Sequence, residues 1–170
     1  MSKPKLRRGP RARAPFSIQR SLELYERTMM FTPSCWHIVR TVPKGTLVAR
    51  FALPLYLCRP MNAIATKAAQ KQAWRLGNMK KNALALMRSQ CPRLPAAPLP
   101  GRPQVIAVRL SDKEPDKFSN WQKNPVDRLR ADKHGLGIIR DDKPEAIAEF
   151  AWWEPCKRNE GCVILEVWSG

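Results

Sequence analysis

The sequence predicts an α+β domain in which two main helices cover one face of a mixed, mostly antiparallel sheet. The order of local patterns, strand, helix, connector, strand, helix, strand, strand, favours this class. The chain has 170 residues, of which 44% are hydrophobic, and this suits one domain with an appendage. We therefore divide it into a basic N-terminal arm and extension, residues 1–46, and an α+β domain, residues 47–170.

Strands are predicted where apolar residues run together or alternate with others. The predicted strands are residues 35–42, 46–57, 105–110, 146–153 and 162–168. Pro54 should end the second of these strands, or place it at a sheet edge, because proline cannot donate to the ladder. The last two strands are separated by the turn EPCKRNEG and are expected to form a hairpin.

Helices are predicted where helix-forming residues dominate or apolar residues share one face. The predicted helices are residues 17–30, 63–90 and 117–131. Gly77 and Asn78 weaken the middle of the second segment, which favours two helices there. Pro125 lies within the third segment, and a first-turn position for it would start the regular helix nearer Asn124. Residues 91–103, CPRLPAAPLPGRP, contain five prolines and should form a stiff, extended connector.

Charge divides the chain into two halves. The net charge is +17 and the sequence pI is about 10.4, values that attract polyanions. Residues 1–111 hold 21 Lys and Arg but two acids, whereas residues 112–170 hold 10 Lys and Arg against 12 acids. A nucleic-acid enzyme would use the first part to hold phosphates and the second to gather carboxylates for a metal. The alternative is a basic binding module whose acids merely balance charge.

Cysteine usage and hydropathy point to a reducing, aqueous compartment. The five cysteines form no CxxC pair, and two histidines do not complete a zinc pattern. No apolar run approaches the roughly 18 residues that span a bilayer, so we expect a cytoplasmic protein without a membrane partner. Residues 1–21 carry seven basic residues and no acid, which favours a disordered DNA-contacting arm over a transit peptide.

The predicted helix at residues 63–90 carries a basic stripe. Lysine or arginine recurs every four residues and then continues along the helix, at Lys67, Lys71, Arg75, Lys80 and Lys81. Such a stripe can hold phosphates without reading base sequence. A solvated helix face is the alternative, but no acid lies anywhere between residues 27 and 111. We therefore expect phosphate contacts from this helix.

Four motifs, FALPLYLCRPMN, SNWQKNPVDRL, GLGIIRDDKPEAI and CVILEVW, follow one another along the chain. In order and spacing they resemble the RusA-type Holliday junction resolvases, small endonucleases of phages and bacteria. The resemblance covers about residues 48–168. That family has Asp-x-Asp-Asn, a lysine three residues later, Asp-x-Leu, and a loop with glycine and two acids. The matching positions are Asn120, Lys123, Asp127, Leu129 and the pair Asp141–Asp142.

The resemblance implies cleavage of branched DNA by a homodimer, with Mg²⁺ held by acids from the helix start and the later loop. The two family acids before the asparagine fall on Lys117 and Ser119, which cannot ligate a metal as carboxylates do. We expect Asp142 and Asp116 to hold the metal and to be catalytic, with Asp141 as an accessory ligand.

Three further residues complete the predicted site. Lys123 should lie near the scissile phosphate and stabilise its developing charge. Asn62 and Asn120 are expected to join the basic stripe in binding nucleic acid. Asp127 stands four residues after Lys123, so we interpret it as a structural partner of that lysine.

Each of these assignments has a less specific alternative. The Asp141–Asp142 pair would also suit a turn cap beside Pro144, Asp116 a solvated loop and Lys123 a solvated surface. The leading hypothesis is a RusA-like endonuclease of recombination or repair in a bacterial or phage-infected cell. A catalytically degenerate relative that only binds nucleic acid is the second. An unrelated basic protein, such as an RNA-binding accessory, is the third.

Overall fold

A computed structural model of the chain describes residues 15–31, 45–58, 67–115 and 120–169, with backbone alone at 31 and 67–76. In chain order the elements are α1 Ile18–Phe31, β1 Leu47–Pro54, a 3-10 helix Leu55–Cys58, α2 Lys67–Gln90, β2 Gln104–Ser111, α3 Lys123–Asp127, β3 Ala148–Pro155 and β4 Cys162–Trp168. The four strands form one sheet in the order β1–β4–β2–β3. β4 is antiparallel to β1 and β2, and β3 is parallel to β2. The predicted α+β class with a mixed, mostly antiparallel sheet is confirmed.

Side-chain alternation gives this sheet two apolar faces. Phe51 and its cross-strand partner Leu165 belong to one buried cluster, together with Met87 of α2 and residues of α3. Ile164 points to the other face and shares a second cluster with Tyr25 of α1. The two helices predicted for one face, α2 and α3, therefore do share that face. The helix α1, from the N-terminal extension, covers the opposite one.

The predicted hairpin between the last two strands is wrong. β4 pairs with β1 and β2, whereas β3 pairs in parallel with β2. Six of the seven β4 residues are buried, which suits a central strand, while residues 149–151 of β3 are exposed, which suits an edge. Burial on both faces, rather than closeness in sequence, decides which strand lies in the middle.

The helix predictions also need correction. α2 runs without a break from Lys67 to Gln90, because a glycine inside a helix costs only about 1 kcal/mol and Gly77 leaves open space beside it. The third predicted helix is much shorter, since only Lys123–Asp127 is helical. The chain then turns back on itself. The predicted strand at residues 35–42 lies outside the described residues.

Two other expectations are confirmed in the described part of the chain. Residues 91–103 contain no helix, and Leu94 and Leu99 of this connector pack against the core. Cys58, Cys91, Cys156 and Cys162 are free thiols. None of the helices that the structure describes combines the length and the apolar character needed to cross a membrane.

The strand β1 lies at an edge of the sheet, and its open backbone is covered by a side chain. Gln90, the last residue of α2, accepts a hydrogen bond from the Ala52 amide at 2.7 Å and donates one to the Ala52 carbonyl at 3.0 Å. Pro54 ends the strand, as the sequence predicted. The edge is thereby closed to further strand pairing.

A charged network crosses the face that α1 covers. Glu166 of β4 is only 3% exposed, and its carboxylate accepts hydrogen bonds from Arg50 Nε at 2.8 Å and from Trp168 Nε1 at 3.0 Å. Arg50 also contacts Glu26 Oε1 of α1 at 3.1 Å, and its guanidinium lies 5.6 Å from the centre of the Tyr25 ring. The network therefore joins two strands to the N-terminal helix.

Replacing the arginine of this network should destabilise the protein strongly. Arg50→Met leaves the buried Glu166 carboxylate without its cation, and we expect the free energy of unfolding to fall by about 3–5 kcal/mol. The double variant Arg50→Met, Glu166→Met should recover most of that loss, because no charge is then buried. Urea unfolding followed by tryptophan fluorescence measures both, with exposed Arg93→Met as a control. A double variant no more stable than the single one would contradict this account.

Candidate functional site

The short helix α3 is fixed by its buried side. Asn124 is 2% exposed, and its Nδ2 donates a hydrogen bond to the Leu57 carbonyl at 2.7 Å. Pro125 lies in the first turn, as predicted, where a missing N–H removes no helical hydrogen bond. Val126 packs into the core, whereas the Lys123 side chain, at the start of the helix, is 61% exposed. The helix therefore presents Lys123 to solvent from a fixed backbone.

The chain after α3 folds back and delivers the two loop acids. The Ile138 amide donates to the Leu129 carbonyl at 2.9 Å, and the Gly137 amide donates to the Arg130 carbonyl at 3.0 Å. Gly137 has a φ of +76°, a conformation that favours glycine. Ile138 and Ile139 are fully buried, so they anchor the loop to the core. The acids that follow are held beside α3 in consequence.

Five charged residues meet at this place, and we call them the α3 cluster: Lys123, Asp127, Arg130, Asp141 and Asp142. Lys123 Nζ lies 3.3 Å from Asp142 Oδ2 and 3.8 Å from Asp127 Oδ1. Arg130 Nη1 lies 3.5 Å from Asp142 Oδ1, and its Nε lies 3.5 Å from Asp141 Oδ1. The cluster thus joins the loop acids to Lys123, at the start of α3, and to Arg130, shortly after its end.

The acids of the α3 cluster differ in their affinity for protons. Burial alone raises the pKa of Asp142, but hydrogen bonds with Asp127, Asp141 and Lys123 outweigh it and lower the pKa to about 2. Burial, and then the hydrogen bond with Asp142, raise the pKa of Asp127 above its usual value. Asp142 is therefore the permanent anion, and Asp127 holds its proton to a higher pH than an ordinary carboxyl group.

A pocket of about 240 Å³ opens beside the cluster. It is lined by Asn120, Gln122, Lys123, Val126, Asp142 and Glu149. Glu149 comes from the exposed part of β3, and the partial burial of its carboxyl group, followed by the charge of Asp142, raises its pKa. The pocket thus combines a cation, two carboxylates and two amides on a surface open to solvent.

Part of the predicted site is brought together by the fold. Lys123, Asp141 and Asp142 meet in the α3 cluster, and Asn120 lines the same pocket. The Asp142 amide donates to Asp141 Oδ1 at 2.8 Å, so Asp141 also fulfils the capping role that the sequence left open. Asp116, Lys117, Ser119 and Asn62 lie outside the described residues.

The basic stripe is described only at its C-terminal part. Lys67, Lys71 and Arg75 belong to α2, at positions where the structure describes backbone alone. Lys80 is partly buried and Lys81 is exposed on the same helix. Among the described residues, no carboxylate lies within 4 Å of either lysine, so both remain available to an external anion.

Sequence reasoning missed three members of this region. Asp127 was interpreted as a structural partner of Lys123; that 3.8 Å contact exists, but Asp127 also adjoins Asp142. Arg130 and Glu149 carried no signal in the sequence. Their positions depend on the folded-back loop and on the parallel pairing of β3, neither of which a local pattern reveals.

Two carboxylates of the α3 cluster have the chemistry to bind the Mg²⁺ that the family resemblance implies. Asp127 Oδ1 is buried without a hydrogen-bond partner among the described residues, and with Asp142 it supplies the oxygen ligands that Mg²⁺ prefers. In the described part of the chain, however, no three His, Cys, Asp or Glu side chains converge to hold a metal. The α3 cluster therefore offers Mg²⁺ two carboxylates among the described residues, and the expected ligand Asp116 is not one of those residues.

The upstream acid Asp112 does not complete this set. Its Oδ2 lies 3.9 Å from Arg158 Nε, in the turn after β3. Asp112 directly follows β2, whereas Glu149 pairs with Val105 near the beginning of that strand. At about 3.3 Å per residue the length of the strand, roughly 20 Å, separates these two places.

Comparisons with protein-family models, with curated proteins and with solved structures find no match to this chain. The resemblance to RusA-type resolvases therefore rests on the sequence motifs and their spacing. The geometry of the α3 cluster is a separate observation, since it follows from contacts between side chains.

Removing the Asp142 carboxylate should lower the pKa of Asp127. In Asp142→Asn the neighbouring negative charge, which raises that pKa, is lost, while burial persists, so Asp127 should ionise at a lower pH than in the wild type but not at an ordinary value. Carboxyl carbon chemical shifts followed through a pH titration measure both groups. Asp132→Asn, at an exposed acid 3.7 Å from Arg130, is the matched control. An unchanged Asp127 titration would mean that burial alone sets its pKa.

Proposed function

We propose that this protein is a RusA-like, Mg²⁺-dependent endonuclease that cuts branched DNA. The observation that supports this most is the 3.3 Å separation of Lys123 Nζ and Asp142 Oδ2, residues that are 19 positions apart in the chain. The resemblance assigns charge stabilisation to the first and metal binding to the second. Their meeting on one pocket is what such an active site requires.

The chemistry of the pocket is suited to phosphodiester cleavage. Bound Mg²⁺ supplies an activated water and relieves charge on the leaving oxygen. Asp142 and Asp127 provide oxygen atoms for it. The charge of Asp127, and then the hydrogen bond to Asp142, raise the pKa of Lys123, so this exposed lysine stays cationic at neutral pH. It is thus able to stabilise negative charge that develops on the phosphate.

The remaining features of the proposal concern DNA and assembly. Lys80 and Lys81 of α2 would contact backbone phosphates, which positions DNA without reading its sequence. A homodimer, which the resemblance implies, would present two symmetric sites to a four-way junction. Such an enzyme would act in the cytoplasm of a bacterial or phage-infected cell.

A second candidate is a protein that binds branched DNA without cutting it. Asp142 already contacts Lys123 and Arg130, and Asp141 lies 3.7 Å from Lys143 Nζ as well as near Arg130. Cations close to the acids favour a structural role for them. Lys117 and Ser119, where the family has acids, point the same way.

A synthetic four-way junction with Mg²⁺ separates these candidates. We expect the wild type to cut it, Asp142→Asn to cut at background rate, and Lys123→Gln to cut about 100-fold more slowly, the usual loss for one electrostatic stabiliser. The control Asp132→Asn makes the same chemical change at an exposed acid and should cut normally. Gel electrophoresis of labelled junctions measures the rates.

Binding of the same junction is measured in parallel. A wild type that binds the junction but does not cut it at any Mg²⁺ or salt concentration would establish the binding-only candidate. Cutting by Asp142→Asn at the wild-type rate would remove the α3 cluster from the active site, whatever the activity of the chain.

Restoring the family acids should increase cleavage. In the double variant Lys117→Asp, Ser119→Asp, two added carboxylates would strengthen the metal site, and we expect cleavage to rise at least about tenfold, the effect of 1.4 kcal/mol in the barrier. A double change at exposed positions, Lys133→Asp with Ser89→Asp, alters net charge equally and should not raise cleavage. If the restored variant binds the junction and Mg²⁺ but cuts no faster, the alignment of these two positions with the family acids is wrong.

A further inference from the structure

A larger pocket lies between α1 and the end of the sheet where β2 terminates. Its volume is about 770 Å³, within the range of about 300–1,000 Å³ that is typical of ligand sites. One face of α1 forms one wall, and the 3-10 helix and the turn at residues 158–161 form others. We call this pocket the α1 groove. It involves a helix that lies outside the part of the chain with the family resemblance.

The α1 groove is rich in arginine. Its guanidinium groups belong to Arg20, Arg27, Arg109 and Arg158. Arg158 is near Asp112, at 3.9 Å, but among the described residues no carboxylate lies within 4 Å of the other three. Three cations of the groove therefore have no direct ion pair in the part of the protein that the structure describes, although the charge of Asp112 also acts on Arg109.

The acids of the groove do not cancel this charge. Glu23, Asp112 and Glu160 also line it. Glu23 is exposed and accepts a hydrogen bond from Gln19 Nε2 at 2.9 Å, along the helix surface. Asp112 is the partner of Arg158. Cations thus outnumber acids even when every carboxylate is ionised.

Arg109 is the least exposed arginine of the groove. It is partly buried, and its Nε donates to Ser111 Oγ at 3.2 Å, which fixes the side chain. Burial lowers its pKa, since a desolvated cation is disfavoured. Among the described residues its two terminal nitrogens have no hydrogen-bond acceptor. An anion in the groove would satisfy them and offset the cost of burying the charge.

An exposed aromatic ring stands at the same groove. Tyr56 of the 3-10 helix is 55% exposed, although large apolar side chains are usually covered. Proteins that bind single-stranded nucleic acid combine cations for the phosphates with aromatic rings on which bases stack. The α1 groove offers both kinds of group within one cavity.

We propose that the α1 groove binds a single-stranded nucleic-acid segment, with Arg20, Arg27 and Arg109 on its phosphates and Tyr56 stacked on a base. The proposal rests on the proposed nucleic-acid function and extends it, because unpaired nucleotides occur at branch points. The groove is also linked to the candidate active site. Its Tyr56 is followed by Leu57, whose carbonyl anchors α3 through Asn124.

Binding of a fluorescein-labelled oligothymidine of about 12 nucleotides to the full chain, followed by fluorescence anisotropy over a salt series, tests this proposal. Arg109→Gln should weaken binding and reduce the slope of log Kd against log salt by about 0.7, the value for one phosphate contact on a single strand. Arg109→Lys should keep the slope. Tyr56→Leu should weaken binding at least about fivefold without changing the slope.

Controls separate the groove from general charge and from folding. Arg93→Gln removes one exposed positive charge elsewhere and should leave binding nearly unchanged. Circular dichroism checks that each variant folds. If Arg109→Gln does not fold, Arg20→Gln, at an exposed position, serves as the second groove variant. The proposal is overturned if Arg109→Gln or Arg20→Gln shows the same Kd and the same salt slope as the control Arg93→Gln.

Two further outcomes identify the ligand and separate this inference from the proposed function. If inorganic pyrophosphate binds in the groove and oligothymidine does not, the ligand of the groove is a free anion and the strand proposal is overturned. Suppose instead that the groove variants weaken oligothymidine binding and that the wild type neither binds nor cuts the four-way junction. The groove proposal is then supported, whereas the proposed nuclease function fails. If the protein cuts the junction normally but the groove variants bind oligothymidine as the wild type does, only the groove proposal is overturned.

Discussion

The ion pair between Arg50 and Glu166 is the contact on which the arrangement of the N-terminal helix depends. Glu166 occupies the central strand β4, on a largely apolar face, and a buried carboxylate there is stabilised by a cation beside it. Arg50 supplies that cation from the edge strand β1, and Glu26 of α1 contacts the same guanidinium. This network therefore helps to place α1 on the sheet, together with the apolar contacts of Tyr25. The α1 groove exists because of this placement, since the helix forms one of its walls.

The opposite face of the sheet works by a different constraint. There the core is apolar, and the charged residues lie at its edge. The segments that hold them are fixed by buried side chains, Asn124 in α3 and Ile138 and Ile139 in the loop. Anchoring fixes the backbone, so side chains from segments distant in sequence converge without a regular element between them. Preorganisation of this kind is what a catalytic site requires, because reacting groups must already be in position. The 3-10 helix connects the two faces, as it borders the α1 groove and holds α3.

Much of the fold could be predicted from the sequence, but the pairing of its strands could not. Apolar runs identify β1, β2, β3 and β4. Pro54 ends β1 and Pro125 lies in the first turn of α3, as expected, because the effect of proline on the backbone is local. Strand partners depend on burial of both faces, which explains why the expected hairpin is absent. The candidate site shows the same division. Lys123 and Asp142 were predicted from their motifs, whereas Arg130 and Glu149 join them through the loop and through β3, and no local pattern encodes those contacts.

For the proposed nuclease, the relevant property of the α3 cluster is the cost of ionising its acids. A cluster with a purely structural role would be close to neutral, because an unpaired buried charge is costly. Here Lys123, Arg130 and Lys143 contact acids of the cluster and Arg128 also acts on Asp127, so four cations face the four acids Asp127, Asp141, Asp142 and the adjacent Glu149. Burial, and then the neighbouring Asp142, raise the pKa values of Asp127 and Glu149, so these two acids are costly to ionise where they lie. A divalent cation held by Asp127 and Asp142 would offset that cost, and an additional acid from the segment before Asn120 would strengthen its binding.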